Sequence, residues 1–132
     1  MANTNFYPSY QYGIGIKKAA FSFMGNGASS IDMTTLRGDA GQLVQSIAIT
    51  GTGLYTITFK VPFRRLIGLI GYGQDNNYPA GLVYPLVASN EGTSTPLSVT
   101  LRATTATVAT NIPDTAKIYM ECVFQDDSAG TR

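Results

Sequence analysis

Apolar and polar residues alternate most regularly over residues 46–61, SIAITGTGLYTITFKV. Ile47 and Ile49 point one way, with Ser46, Ala48 and Thr50 between them. Tyr55, Ile57, Phe59 and Val61 then alternate with Thr56, Thr58 and Lys60. Side chains in a strand reverse face at every residue, so a period of two marks a half-buried antiparallel strand. Gly51 and Gly53, on either side of Thr52, supply the positive φ that a tight reversal needs. The stretch predicts a β-hairpin.

The same period recurs along the chain. Residues 19–24 form a short strand candidate that Gly25-Asn26-Gly27 ends, and residues 31–36 form a weaker one. Pro62 stops the hairpin from continuing as a central strand. Residues 65–72, RLIGLIGY, are apolar on both faces, as in a strand covered on both sides. Residues 73–79, GQDNNYP, read as a loop. Residues 82–88 form another strand, in which Pro85 argues for an edge or a bulge. Along 97–105, Leu97, Val99 and Leu101 share one face while Ser98, Thr100 and Arg102 share the other. The β-branched run 104–110 extends that strand or forms a separate edge. In the last strand, 117–125, Ile118, Met120, Cys122 and Phe124 face the core, and Tyr119, Glu121, Val123 and Gln125 face away. Turn signals recur every eight to twelve residues or so and no stretch carries a helical period. The pattern predicts an all-β fold: an antiparallel β-sandwich, with the jelly roll as one form of it.

Residues 1–18 carry no such period. Phe6, Tyr7, Tyr10 and Tyr12 make them sticky, while Pro8, Gly13 and Gly15 keep them irregular. They read as an N-terminal extended arm on a β-sandwich domain spanning 19–132. Aromatics suit the core of an interface, so the arm is expected to pack on a neighbour, with Lys17 and Lys18 at its base tuning encounter. A plain leader is the other reading. Tyr72 and Tyr78, in and beside the 73–79 loop, are further candidates for touching a partner.

Composition narrows the function. The chain has 132 residues, 44% apolar but only 13% charged, with a net charge of +1. Charge is about half its usual share, so Thr, Ser, Asn and Gln make up much of the polar surface, and a partner is expected to cover some of the rest. A balance this near neutral offers no field for nucleic acid. The longest apolar region, 61–72, is broken by Arg64 and Arg65 and is too short for a bilayer. The first residues, MANTNFYPSY, lack the basic start and apolar run of a signal peptide, and the single Cys122 cannot form an internal disulfide.

No catalytic constellation stands out. The chain has no histidine, which removes the common triads and the commonest metal ligand. Cys122 sits on the apolar face of the last strand, where a small buried hydrophobe is expected rather than a nucleophile. Asp39, Asp75, Glu91 and Asp114 fall at turns, and Asp126 and Asp127 in a polar tail; nothing brings two of the acids across a cleft. Asp75, Asn76 and Asn77 could offer oxygens to calcium, but a calcium loop needs more, in a spaced acidic pattern. Arg37-Gly38-Asp39 spells an adhesion tripeptide that reads as turn chemistry. The expectation is a protein without enzymatic activity, metal or cofactor.

The segment Gly51-Thr52-Gly53-Leu54-Tyr55-Thr56-Ile57-Thr58-Phe59 resembles the G-x-G-x-Y-T-hydrophobic-T-hydrophobic strand of small virion proteins of tailed bacteriophages. The Thr/Val/Ala-rich region 99–110, the turn near Asp114 and the closing strand 118–124 with its polar tail are similar too, so the resemblance covers 45–128. It implies a β-sandwich of the capsid decoration (cement) type, frequently a homotrimer. Such a protein is made in the host cytoplasm and bound to the major capsid protein on the outside of the head, without nucleic acid or membrane. Tail and fibre modules share these features. The alternative is therefore a module that binds a host-surface glycan through Tyr72 and Tyr78.

Overall fold

The predicted hairpin is the centre of one half of the fold. The computed structural model describes residues 16–38, 43–73, 76, 78–105 and 108–125. Within them β3 (Val44–Gly51) and β4 (Leu54–Phe59) pair antiparallel, with Ile47 opposite Ile57 and Ile49 opposite Tyr55. Gly53 takes φ +63° at the turn, and a side chain there would press on the backbone of Ala103 and Thr110. That close approach locks the turn to the next strand. The Gly53 carbonyl accepts from the Ala103 N–H at 2.8 Å, and its own N–H donates to Asn111 Oδ1 at 2.7 Å.

The remaining strands are β1 (Ile16–Met24), β2 (Arg37–Gly38), β5 (Arg65–Gly73), β6 (Gly81–Ser89), β7 (Ser98–Thr105), β8 (Val108–Ala109) and β9 (Lys117–Gln125). With β3 and β4 they form one nine-stranded sheet, in the order β2-β1-β9-β5-β6-β7-β4-β3, with β8 paired onto β7. Every pairing is antiparallel. The all-β antiparallel class is as expected. In hydrogen bonding, though, a single sheet curls over its own core where two stacked sheets would make a sandwich.

Aromatic packing shows the curl. Phe59 on β4 and Phe124 on β9 are separated in the sheet by β5, β6 and β7, yet their rings meet edge-on at 5.0 Å, and Phe63 stacks on Phe124 at 4.1 Å. The segment after β1 crosses back to the opposite edge: the Ile31 N–H donates to Ile47 O at 3.0 Å, and the Ile49 N–H to Ser30 Oγ at 3.1 Å. Inside the curl lie Ile47, Tyr55, Ile57, Phe59, Leu69, Val99, Leu101, Ile118, Met120 and Phe124, all expected in the core. Ile49 and Leu66, also expected there, are only partly buried at its margin.

Local chemistry moved two boundaries and decided between two readings of Pro85. The weak strand expected at 31–36 is instead a 3-10 turn, Met33–Thr35. The Asp32 carboxylate caps it, accepting from the Thr34 N–H at 3.0 Å and its hydroxyl at 2.8 Å; such local bonds compete with a strand ladder. These bonds also hold the Asp32 carboxyl below its ordinary pKa. β1 starts at Ile16, so residues 16–18 of the expected arm are strand. Ile16, Lys17 and Lys18 pair with Gln125, Phe124 and Val123, whose ladder continues past the point where the two lysines break the apolar period. Phe6, Tyr7, Tyr10 and Tyr12 lie outside the described residues. Pro85 sits at a bulge and not at an edge: β6 lies between β5 and β7, and its register on β7 shifts between Pro85 and Val87.

The join between the two halves is thin. β5 pairs with β9, and β6 with β7, over most of their lengths, but β5 and β6 share only the register pairs Gly71–Val83 and Tyr72–Leu82. A second bulge, between Leu66 and Gly68 on β5, lies toward the same end as the Pro85 bulge. Here the turn after β6 folds onto the start of β5: Glu91 Oε2 accepts from the Leu66 N–H at 2.7 Å, and the Gly92 N–H donates to Phe63 O at 3.1 Å.

Candidate interaction surface

β5 and β6 carry apolar residues on faces that point away from the core. Leu69, Gly71, Gly81 and Val83 turn inward and are buried. Between and beside them Ile67, Ile70, Tyr72, Leu82, Tyr84, Leu86 and Val87 are each 40 to 58% exposed. Residues 65–72 were expected to be covered on both faces; among the described residues, the chain covers one. Ile67 and Leu86 are the extra residues of the two bulges, a device that turns a side chain out of the regular pleat. The apolar surface so left open is on the order of several hundred Å², a size at which exposed patches mark interaction sites.

Aromatic rings border this patch. Tyr72 and Tyr119 face each other across β5 and β9 with centroids 5.4 Å apart and planes tilted by 53°. The Tyr119 hydroxyl donates to Glu121 Oε2 at 3.0 Å, and that bond to a carboxylate raises its pKa. Tyr119 was expected to face away from the core and does so, half-buried.

Tyr78 departs from expectation. Its ring is 1% exposed. It lies against Gly73 and Gly81, where a side chain on Gly81 would collide with the ring, and its hydroxyl donates to Leu82 O at 3.4 Å. Burial first, and the neighbouring Tyr55 second, push its pKa up to about 12. Tyr72 and Tyr78 therefore do not form one exposed platform. Lys17 and Lys18 are exposed, but on a paired strand and not on a free arm.

The chemistry elsewhere is quiet. Cys122 is fully buried between Ala19 on β1 and Leu69 on β5, and burial, with a smaller contribution from Glu121, pushes its thiol up to about 12. A thiol so protonated is a poor nucleophile. Among the described residues no three His, Cys, Asp or Glu side chains gather where they could hold a metal ion, and no helix is long and apolar enough to cross a membrane. Asp39, Asp75, Asn77, Asp126 and Asp127 lie outside the described residues.

Sequence reading singled out Tyr72 but passed over Ile70, Leu82, Tyr84 and Tyr119. The signal was present: two consecutive strands apolar on both faces. Set against known protein families, characterised proteins and solved structures, the chain finds no match.

Proposed function

We propose that this protein is a structural assembly component that acts by burying surface: a capsid decoration protein that binds the outside of a bacteriophage head and bridges neighbouring major capsid subunits, as a homo-oligomer and without catalysis. The observation that supports it is the outer face of β5 and β6, where seven large apolar side chains stand half-exposed on neighbouring strands. A chain that works alone in water gains nothing from that face. Complete burial of a large apolar side chain stabilises by about 1.5–3 kcal/mol. Covering seven that are already half-covered is then worth on the order of 5–10 kcal/mol before association costs, which are of similar size. A single contact is therefore modest. Repetition over a lattice makes it lasting, because each linked contact raises the effective concentration of the next. The virion setting comes from the resemblance of 51–59 and its flanks to phage virion proteins.

Co-sedimentation of the purified protein with phage capsids stripped of it tests this reading. Saturable binding in a fixed ratio to the major capsid protein is expected, and Ile70→Lys should weaken it at least ten-fold (about 1.4 kcal/mol) while the circular dichroism stays unchanged. Absence of binding by the unaltered protein overturns the decoration role.

A further inference from the structure

One cross-strand row of the outer face runs from a cationic edge to the margin of the apolar patch at Tyr72. Reading across neighbouring strands, Arg37 on β2 stands opposite Ser22 on β1, Ser22 opposite Tyr119 on β9, and Tyr119 opposite Tyr72 on β5. At about 4.8 Å per strand the row is roughly 14 Å long, the reach of a short oligosaccharide. Lys117 lies two residues from Tyr119 on β9, opposite Met24. Two depressions follow this row. One, of about 550 Å³, lies between the 3-10 turn and the ends of β1 and β9, with Thr34 and Thr35 in its wall. The other, of about 210 Å³, leads along β1 to Tyr119. Ser22, Arg37 and Lys117 line both.

We propose that this row binds an acidic oligosaccharide, with a uronate-type carboxylate held between Arg37 and Lys117 and the adjoining sugar rings lying along Ser22 onto Tyr119 and Tyr72. Arg37 is pre-positioned: its Nη1 donates to Thr34 O and Leu36 O, each at 2.9 Å, which fixes the guanidinium over the 3-10 turn. A guanidinium has five donors, so this anchoring leaves others for a carboxylate, whose two oxygens match its fork. Tyr119 is held by its bond to Glu121 and by the neighbouring Tyr72 ring. Of the four residues in the row only Arg37 is charged, at the β2 end where Lys117 lines the same depressions, so the ligand's carboxylate belongs at that end and the adjoining rings toward Tyr119 and Tyr72. The ligand class follows from the direction of the row. It crosses the strands, and the backbone groups of β1 and β9 along it are taken up by the sheet ladder. A peptide strand laid along the row would cross the ladder and find no main-chain partners on β1 or β9. The row presents a hydroxyl, the Arg37 guanidinium and ring faces, and these recognise a charged sugar.

This site goes beyond the assembly reading and does not rest on it, since capsid binding is measured with no sugar present. The test is calorimetric titration of the full chain with trigalacturonic acid, with maltotriose as the neutral counterpart and triglutamate as the acidic peptide. Trigalacturonic acid should bind saturably in the millimolar range or tighter, and more weakly as salt rises. Arg37→Gln should weaken binding at least about ten-fold and Tyr119→Ala several-fold, with circular dichroism confirming that each variant is folded. Four results overturn the proposal: no binding of trigalacturonic acid, equal binding of maltotriose, equal binding of triglutamate, or an Arg37→Gln variant that binds as well as the unaltered protein.

Discussion

The outer faces of β3, β4 and β7 on one side, and of β9, β5 and β6 on the other, belong to one sheet and back onto one core. They are written in different alphabets. On the first, Ser46, Thr58 and Ser98 line up across the strands, followed by Ala48, Thr56 and Thr100. On the second stand Tyr119, Tyr72 and Leu82, with Ile70 and Tyr84 beside them. Threonine is a good strand residue because its branched Cβ suits the pleat, and its hydroxyl keeps it compatible with water. The first half shows that this fold can be built with a polar outer face. Ile, Leu and Tyr on the second half are therefore not required to make strands; on the proposed reading, a partner covers them.

The largest effect expected from breaking this comparison lies beneath it, in the core that both halves share. Ile57 is fully buried, facing Ile47 and Val99 across the strands. Ile57→Ala should cost about 2–5 kcal/mol, lost transfer energy plus the cavity left behind, read from denaturant unfolding. A loss below about 1 kcal/mol would mean that the two halves do not share a close-packed core.

Alkaline titration comes next, and its two largest shifts lie in the β9–β5–β6 half. Cys122 and Tyr78 have pKa values raised from 9.0 and 10.0 to about 12 in the folded chain. Both groups ionise to anions, and burial keeps them neutral in the fold while the unfolded chain lets them ionise. Their contribution to stability is therefore complete below pH 9, declines from pH 9 for Cys122 and from pH 10 for Tyr78, and is gone as pH passes about 12. Each group titrating only in the unfolded chain removes about 1.4 kcal/mol per pH unit. Cys122→Ala should flatten the decline between pH 9 and 10 in urea titrations; a decline unchanged by that substitution would assign it to other groups.

Much of this was legible in advance, and the failures are physical. The hairpin and the last strand were read with close to their true bounds, because period two and glycine turns are local signals. The core face of 97–105 was legible for the same reason. Coverage is not local. Residues 65–72 announce two apolar faces, but which of them the described residues leave open depends on elements that arrive from other parts of the sequence. Tyr78 looked exposed because Asn, Pro and Gly surround it; the two glycines that admit its ring, Gly73 and Gly81, were the overlooked sign. The charged row from Arg37 to Tyr72 joins residues from four strands and exists only once the register is known.

The smallest expected effect is the most informative about the comparison. Leu82 on the apolar half and Thr58 on the polar half both point outward. Leu82→Thr rewrites one face in the alphabet of the other, at a position flanked across the strands by Tyr72 and by the buried Thr104. If the apolar face exists for a partner, this substitution in the isolated chain should cost no more than about 1 kcal/mol, close to the cost of Thr58→Ala, since surface changes away from caps, cavities and networks usually stay near 0.5 kcal/mol. Assembly should suffer where folding does not, with weaker capsid binding at nearly unchanged denaturation midpoint. A loss above about 2 kcal/mol for Leu82→Thr would be the size of a buried substitution. It would mean that the chain's own residues cover this face in solution, so that the two halves differ in how they fold and not in what they meet.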